Sequence, residues 1–392
     1  MAMLDRAWLP GIGVEHKFDW KPANSPTKSE RAAAPVGFPQ SINAEMVWEG
    51  ADFQRQPGLY RYELTKRHIQ ELEDAAMAVE AQGLPLGQLC PENFCLATFG
   101  PVLRRLARDV AHGRGFFAIR GLDPSRYSKS RNIVIYVGIA SYIGNRCGRQ
   151  DEYGNMLLHL TDLGSTAAPD NERQAPYSSV GQPYHTDTGS ILGLYALEKA
   201  NYGGESKIAS SWYIYNQLRR VRPDLVRALV ESDWIFDTFG QNPPYRTRPL
   251  IHVEDGKVVL SFSRRPLLGS ATSPRSKGVP DLSDMQVEAL NMIQLLAEEY
   301  ALVIDLGPGD MLFWNNLGLL HARNGFTDSH SRRRHLVRIW LHNDDLGWAI
   351  PQQIREPWRD AFEHDGREQL WPLEPITDRT YITTQQRSSG HS

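Results

Sequence analysis

The stretch Pro183-Tyr184-His185-Thr186-Asp187-Thr188-Gly189 puts a histidine and a carboxylate two residues apart. On an extended strand, residues i and i+2 face the same way. His185 and Asp187 can therefore aim an imidazole nitrogen and a carboxylate oxygen at one point. Alone, an H-x-D pair is weak, because a chain with 12 His and 46 acidic residues contains some by chance. A hydrogen-bonded surface pair is the simpler alternative. Its weight comes from a second stretch far downstream, Gly309-Asp310-Met311-Leu312-Phe313-Trp314-Asn315-Asn316, with His321 shortly after it.

Two histidines and one carboxylate on one face of a metal leave the remaining octahedral positions open, as in the facial triad of non-haem Fe(II) oxygenases. His185, Asp187 and His321 are the candidate ligands and catalytic centre. The strands that carry them must then be neighbours in space although far apart in sequence.

The rest of the chain bounds this reading. Hydrophobic residues make up 41% and charged residues 23%, the composition of a globular protein with an ample core. The net charge of -3 gives no overall pull toward nucleic acid or an anionic membrane. No apolar run is long enough to span a bilayer, and Met1–Trp8 does not read as a signal peptide. Cys90, Cys95 and Cys147 are too few and too scattered for a disulfide framework or a closed zinc site and are read as structural. A reducing, cytoplasmic location is expected. The sequence does not fix the oligomeric state, with which a homodimer is compatible.

Residues 1–45 read as a partly irregular N-terminal arm, 46–345 as one domain, and 346–392 as an irregular, Pro- and Trp-rich tail packed on it. Thr65 should cap a helix through Val79 that ends at Gly83, and a second helix runs from about Pro101 to Gly113. Gly115–Gly121 reads as a buried strand and Ser128–Ile143 as a helix. Strands follow at Met156–Leu160, at His185 and at Ile191–Leu197. Helix is expected over Ile214–Leu229, broken near Pro223, and again after a Ser283 cap. Short strands are expected at Val303–Leu306, Met311–Trp314 and Arg334–Leu341. Many short strands, with helices early and in the middle, point to an α+β fold. Its core would be a double-stranded β-helix of the jelly-roll or cupin-like type with flanking helices.

Arg334–Leu341 divides by period two. His335, Val337, Ile339 and Leu341 form an aliphatic side, and Arg334, Leu336, Arg338 and Trp340 the other. If that second side lines a cavity, it places two guanidiniums about 13 Å apart, at roughly 3.3 Å per residue. Buried there, they need anionic partners, which a dicarboxylic cosubstrate and an anionic substrate would supply. Arg332 and Arg333 read instead as a solvated basic edge.

Taken together, these residues resemble the taurine dioxygenase-like Fe(II)/2-oxoglutarate oxygenases of the clavaminate synthase-like group, over roughly residues 115–342. The resemblance rests on Tyr184-His185-Thr186-Asp187, Gly203-Gly204-Glu205-Ser206, Gly309-Asp310 with Trp314-Asn315-Asn316, His321, and Arg334 with Arg338. Phe38-Pro39 and Trp48 are similar to the fungal-type branch. The resemblance implies that His185, Asp187 and His321 bind Fe(II). It implies that Ser206 and Arg334 hold the far carboxylate of 2-oxoglutarate, and that Arg338 meets the anionic group of the substrate. Three features depart from the family pattern: Tyr184 stands for the usual Trp, Ser206 for the usual Thr, and the loops before Ser206 and Arg334 differ in length.

The implied reaction consumes 2-oxoglutarate and O2, releases succinate and CO2, and oxidises an unactivated C–H by hydroxylation, desaturation or ring closure. Its substrate would be a small carboxylate- or sulfonate-bearing molecule, such as an amino acid or a secondary-metabolite intermediate. Two other readings stay open. One is a non-catalytic jelly-roll protein that binds a small anion. The other is a zinc hydrolase using the same ligands, for which Glu205 is the nearest acid/base carboxylate.

Overall fold

Period-two alternation divides the long strands between two hydrophobic cores. On Phe116–Arg120, Met311–Asn315, Ile191–Glu198 and His335–His342, alternate residues (Phe116, Leu312, Leu192, Leu336) join one cluster. Their neighbours (Phe117, Phe313, Ile191, Val337) join the other. The computed structural model describes residues 34–270, 274–363 and 366–383. Residues 1–33 of the expected arm and 384–392 of the expected tail lie outside these.

The four strands belong to a seven-stranded major sheet. Its order is Arg61–Glu63, Phe116–Arg120, Met311–Asn315, Ile191–Glu198, His335–His342, Arg146–Gly148, with Leu157–Thr161 also paired to His335–His342. Only the Arg61–Glu63 pairing is parallel. A four-stranded minor sheet, all antiparallel, runs Leu302–Ile304, Ser206–Ser210, Leu319–Arg323, Gln182–His185. From Gln182 onward the core strands mostly switch between the sheets, so strands close in sequence rarely pair with each other. Strands far apart in sequence pair instead. Both sheets feed the first core, which takes Leu192 and Leu336 from the major sheet and Tyr184, Ile208 and Leu320 from the minor one.

Helices Lys66–Gln82, Phe99–His112 and Lys129–Ser141 pack against the outer face of the major sheet. Their limits follow the residues expected to set them. Thr65 accepts from the His68 N–H and His68 Nδ1 from the Thr65 N–H, a reciprocal cap, while Gly83 closes the helix in the left-handed region at φ 62°. Such a cap contributes on the order of 1 kcal/mol. Ser283 caps Asp284–Tyr300 in the same way with Gln286.

Residues 211–301 form an insertion between two neighbouring strands of the minor sheet. Pro223 divides its first helical stretch into Ser211–Val221 and Pro223–Val230, because its ring cannot continue a helix. Two hairpins follow, Ile235–Asp237 with Tyr245–Thr247 and Ile251–Glu254 with Lys257–Leu260. The chain then docks beside the segment that leaves His185. Thr186 N–H donates to Phe262 O at 2.7 Å, and Phe262 N–H to Thr186 Oγ1 at 2.9 Å.

The Gly309-Asp310 turn has a structural job. A Cβ on Gly309, which sits at φ +91°, would lie 1.8 Å from Leu122 O. The buried Asp310 carboxylate accepts from Arg120 Nε at 2.9 Å and from the Gly307 N–H at 2.9 Å. This pins the entry of Met311–Asn315 into the major sheet.

Two stretches differ from expectation. His321 lies on the strand Leu319–Arg323, which the sequence does not announce, since Gly318 and the polar Arg323-Asn324 cut its apolar run short. The expected irregular tail carries the helix Arg355–Phe362, whose Trp358 and Phe362 pack on His342. Ile354 gives that helix no capping side chain, so no start signal could be read.

Candidate active site

His185 ends its strand, and its Cα partner across the minor sheet is His321. Tyr184 points the other way into the core, so His185 faces out of it, as the two-residue period requires. The two imidazole rings lie 4.1 Å apart between centroids. Asp187 completes the group: one ligand atom each from His185, Asp187 and His321 falls within 4.8 Å of the others. Among the described residues, this is the cluster of His, Cys, Asp and Glu able to hold a metal ion.

The surroundings aim these atoms. His185 Nδ1 lies 2.8 Å from Pro183 O; a carbonyl can only accept, so Nδ1 carries the proton. That turns Nε2 toward Asp187 Oδ1 at 3.8 Å. Asp187 Oδ2 accepts from Arg338 Nη1 at 2.7 Å and from Trp340 Nε1 at 3.2 Å. Asp187 Oδ1 and His321 Nδ1 are buried and have no hydrogen-bond partner. A buried carboxylate oxygen without a partner is costly, and a cation is the group that offsets it. Burial lowers the pKa of both imidazoles, that of His321 further, with His185 and Arg338 as like-signed neighbours. Neutral imidazole is the form that ligates metal. The donor set therefore fits a divalent metal with nitrogen and oxygen preference.

The other expected residues divide into two places. Arg334 is buried just before its strand. Its Nε donates to Gly204 O at 3.2 Å and its N–H is held by Asp328 Oδ1 at 2.9 Å. Gly204, at φ +81°, leaves the room, because a Cβ there would sit 2.8 Å from Arg334 Cδ. Arg334 Nη1 is buried with no partner, and burial pushes the guanidinium pKa down to about 10. An unsatisfied buried guanidinium N–H is suited to a carboxylate. Ser206, also buried, lies two residues beyond Gly204. Arg338, expected at the substrate, is shared between Asp187 and Gln150 Oε1, the latter at 3.0 Å from Nε.

Several contributors were given no role from the sequence. Asn316 clamps the Asp187 backbone, accepting its N–H at 3.0 Å and donating to Asp187 O and Gly189 O. Trp340 shares a face with Arg338 by period two, so its approach to Asp187 was readable. Arg323, two residues beyond His321 and paired in register with Ser206, is buried; it donates to Ser178 O and Val180 O. Gln150 follows a short strand, and nothing in its sequence context marks it.

Residues 80–340 match the family model described as taurine catabolism dioxygenase TauD, TfdA family. The chain belongs to the TauD/TfdA family. This TauD/TfdA chain is 36% identical to the taurine hydroxylase-like protein SAT17 of Stachybotrys chartarum, over 86% of this chain and 89% of that protein. It is 23% identical to FR-33289 synthase of Streptomyces rubellomurinus, over 80% and 93%. Among solved structures it is similar to an asparagine oxygenase in complex with Fe(II), 3-hydroxyasparagine and succinate, with a TM-score of 0.56 and 17% identity over 72% and 93% of the two chains. It is likewise similar to the non-haem iron oxygenase OrfP in complex with Fe and alpha-ketoglutaric acid, with a TM-score of 0.55 and 15% identity over 72% and 94%. At these identities the structures speak for the fold, that of the TauD-like oxygenases. The protein is an Fe(II)/2-oxoglutarate-dependent dioxygenase that uses O2. Among the described residues no helix is long and apolar enough to cross a membrane.

Proposed function

We propose that this dioxygenase oxidises an unactivated C–H of a small carboxylate-bearing or zwitterionic molecule, an amino-acid derivative or a secondary-metabolite intermediate. In this reading His185, Asp187 and His321 hold the iron, Arg334 and Ser206 hold the far carboxylate of 2-oxoglutarate, and the two sheets form a double-stranded β-helix. The observation that carries it is the pair of buried, unpartnered atoms, Asp187 Oδ1 and His321 Nδ1, converging with His185. Names of similar proteins support the substrate class: one structure holds hydroxyasparagine and another holds (3S)-hydroxy-L-Arg.

Bound iron, with 2-oxoglutarate and O2, supplies the oxidant, and the cosubstrate leaves as succinate and CO2. The chain supplies orientation and dryness. Arg338 and Trp340 occupy Asp187 Oδ2, which would leave Oδ1 to hold the metal. Pro183 O fixes the His185 tautomer. Arg334 Nη1 and the Ser206 hydroxyl orient the cosubstrate from its far end. We assign Arg338 to holding Asp187 rather than the substrate. Glu205, the carboxylate a hydrolytic reading would need, accepts from Asn324 Nδ2 at 2.9 Å, which holds it in the protein's own hydrogen bonding.

The test is anaerobic addition of Fe(II) and 2-oxoglutarate to metal-free protein. A visible charge-transfer band is expected, absent in His185→Ala, and succinate should form once air and an amino-acid substrate are added. A native protein with neither band nor succinate would overturn the reading.

A further inference from the structure

Arg323 stands on the strand of His321, two residues further on. By period two the pair share a face, with a rise of roughly 6.6 Å between them. The register across the minor sheet sets His321 opposite Ile208 and Arg323 opposite Ser206. Residues directly opposite in a ladder point to the same side. Arg323 is therefore directed to the side on which the Ser206 hydroxyl is assigned to the cosubstrate.

Arg334 comes to the same place from the other sheet. Its Nε donates to Gly204 O, two residues before Ser206. The Arg323 and Arg334 guanidiniums lie 5.0 and 5.3 Å from the centroid of one ring, that of Phe326. Arg323 Nε and Arg334 Nη1 are both buried and unpartnered. Among the described residues neither guanidinium makes an ion pair or meets another side chain's oxygen; both hold only backbone carbonyls. Arg248 and Arg264 are buried too, but each has a side-chain partner, Ser261 and Asn291. The carboxylates near the Phe326 pair are committed elsewhere. Asp162 pairs with Arg173 at 3.0 Å, Asp328 accepts the Arg334 backbone N–H, and Glu205 accepts from Asn324. Burial, and then Arg334 as a like-charged neighbour, pull the Arg323 pKa well below its usual value. A carboxylate shared by the two guanidiniums relieves both, since its oxygens have lone pairs enough for two such donors.

Arg323 also grips the chain ahead of His185. Its Nη2 donates to Ser178 O at 2.8 Å and to Val180 O at 2.5 Å. The Phe326 N–H donates to Ser179 O at 3.0 Å. We infer that Arg323 is a second guanidinium of the 2-oxoglutarate site, donating from Nε to the far carboxylate beside Arg334 and Ser206, and that its Nη2 couples residues 178–180 to occupancy of that site. This rests on the proposed function for the place of the cosubstrate.

The probes are 2-oxoglutarate and 2-oxovalerate, titrated calorimetrically into protein saturated with Mn(II). Both offer an α-keto acid to the metal, and only the first carries a far carboxylate. The native chain should prefer 2-oxoglutarate. Arg323→Gln should weaken 2-oxoglutarate roughly 10- to 100-fold, the range of one charge-assisted hydrogen bond, and leave 2-oxovalerate unchanged. Arg323→Lys should recover part of the loss. An equal loss for both ligands, as from a merely structural role, or no loss for 2-oxoglutarate would overturn the inference. Hydrogen exchange on the native Mn(II) protein serves where a variant does not fold. There 2-oxoglutarate should slow the amides of residues 178–181 more than 2-oxovalerate does, and equal protection would overturn the inference as well. A loss in Arg334→Gln with none in Arg323→Gln removes Arg323 alone. A native chain that binds the two keto acids equally, or neither, sinks the proposed cosubstrate site and the part of Arg323 with it.

Discussion

Arg338 Nη1 reaches across from the major sheet to Asp187 Oδ2 at 2.7 Å, and so one guanidinium orients the carboxylate on which the metal site depends. Residues that orient a metal ligand typically matter 10–100-fold for affinity. Arg338→Gln should therefore weaken Fe(II) or Mn(II) binding by about that factor, measured by metal titration of the apo protein. Native metal affinity combined with loss of substrate-stimulated succinate would return Arg338 to the substrate.

Arg334 and Ser206 should separate cosubstrate binding from metal binding. Arg334→Gln removes a charge-assisted contact of about 2–3 kcal/mol, raising the 2-oxoglutarate dissociation constant roughly 30–150-fold. Ser206→Ala removes a neutral hydrogen bond of about 1 kcal/mol, a loss of roughly 5-fold. Titration of the anaerobic charge-transfer band reads both, and Mn(II) affinity should not move in either variant.

The Asp310 carboxylate is expected to matter for stability rather than chemistry. Asp310→Ala leaves Arg120 without its partner and the Gly307 N–H without an acceptor, at a cost of about 2–4 kcal/mol. Thermal unfolding should shift down by several degrees, while the metal and cosubstrate titrations of the folded variant stay as in the native chain. An unchanged melting temperature would show that the turn holds without it.

His252 should give the fold an acid-sensitive component away from the metal. Burial, with Arg248 nearby, pushes its pKa down to about 4. The folded value lies below the unfolded one, so the unfolded chain takes up the proton first. The stability His252 contributes is full above pH about 6.5 and is lost as pH falls toward 4. By pH 5 the loss is roughly 2 kcal/mol. His252→Gln should flatten the melting temperature against pH in that window; parallel curves for the two proteins would remove His252 as the cause.

Much of this was legible in the sequence where a local rule has few competitors. Thr65 and Ser283 sit at real helix starts, and period two sorted Arg338 and Trp340 from Val337 and Ile339. His185, Asp187 and His321, scattered in sequence, do converge. What was not legible depends on partners distant in sequence. Arg338 reads as a substrate anchor, and nothing local shows that Asp187 and Gln150 also meet it. Arg248 sits in a Pro-rich loop among exposed residues, and only the packing of the insertion sets its guanidinium over the Phe236 ring. The helix at Trp358 lacks a cap, so its amphipathic pattern alone had to compete with the prolines around it.

The insertion leaves and rejoins the core on adjacent strands, with Ile208 opposite Leu302 and Ser206 opposite Ile304. Its two ends are therefore clasped by backbone pairing whatever lies between them. Residues 211–301 can be treated as a cassette, provided that a replacement of similar span still fills the first core where Trp212, Leu225 and Ile293 pack. His185 and His321 would keep their register, because neither depends on the exchanged segment for its strand partner. A change of insertion within such a scaffold needs no renegotiation of the oxidant.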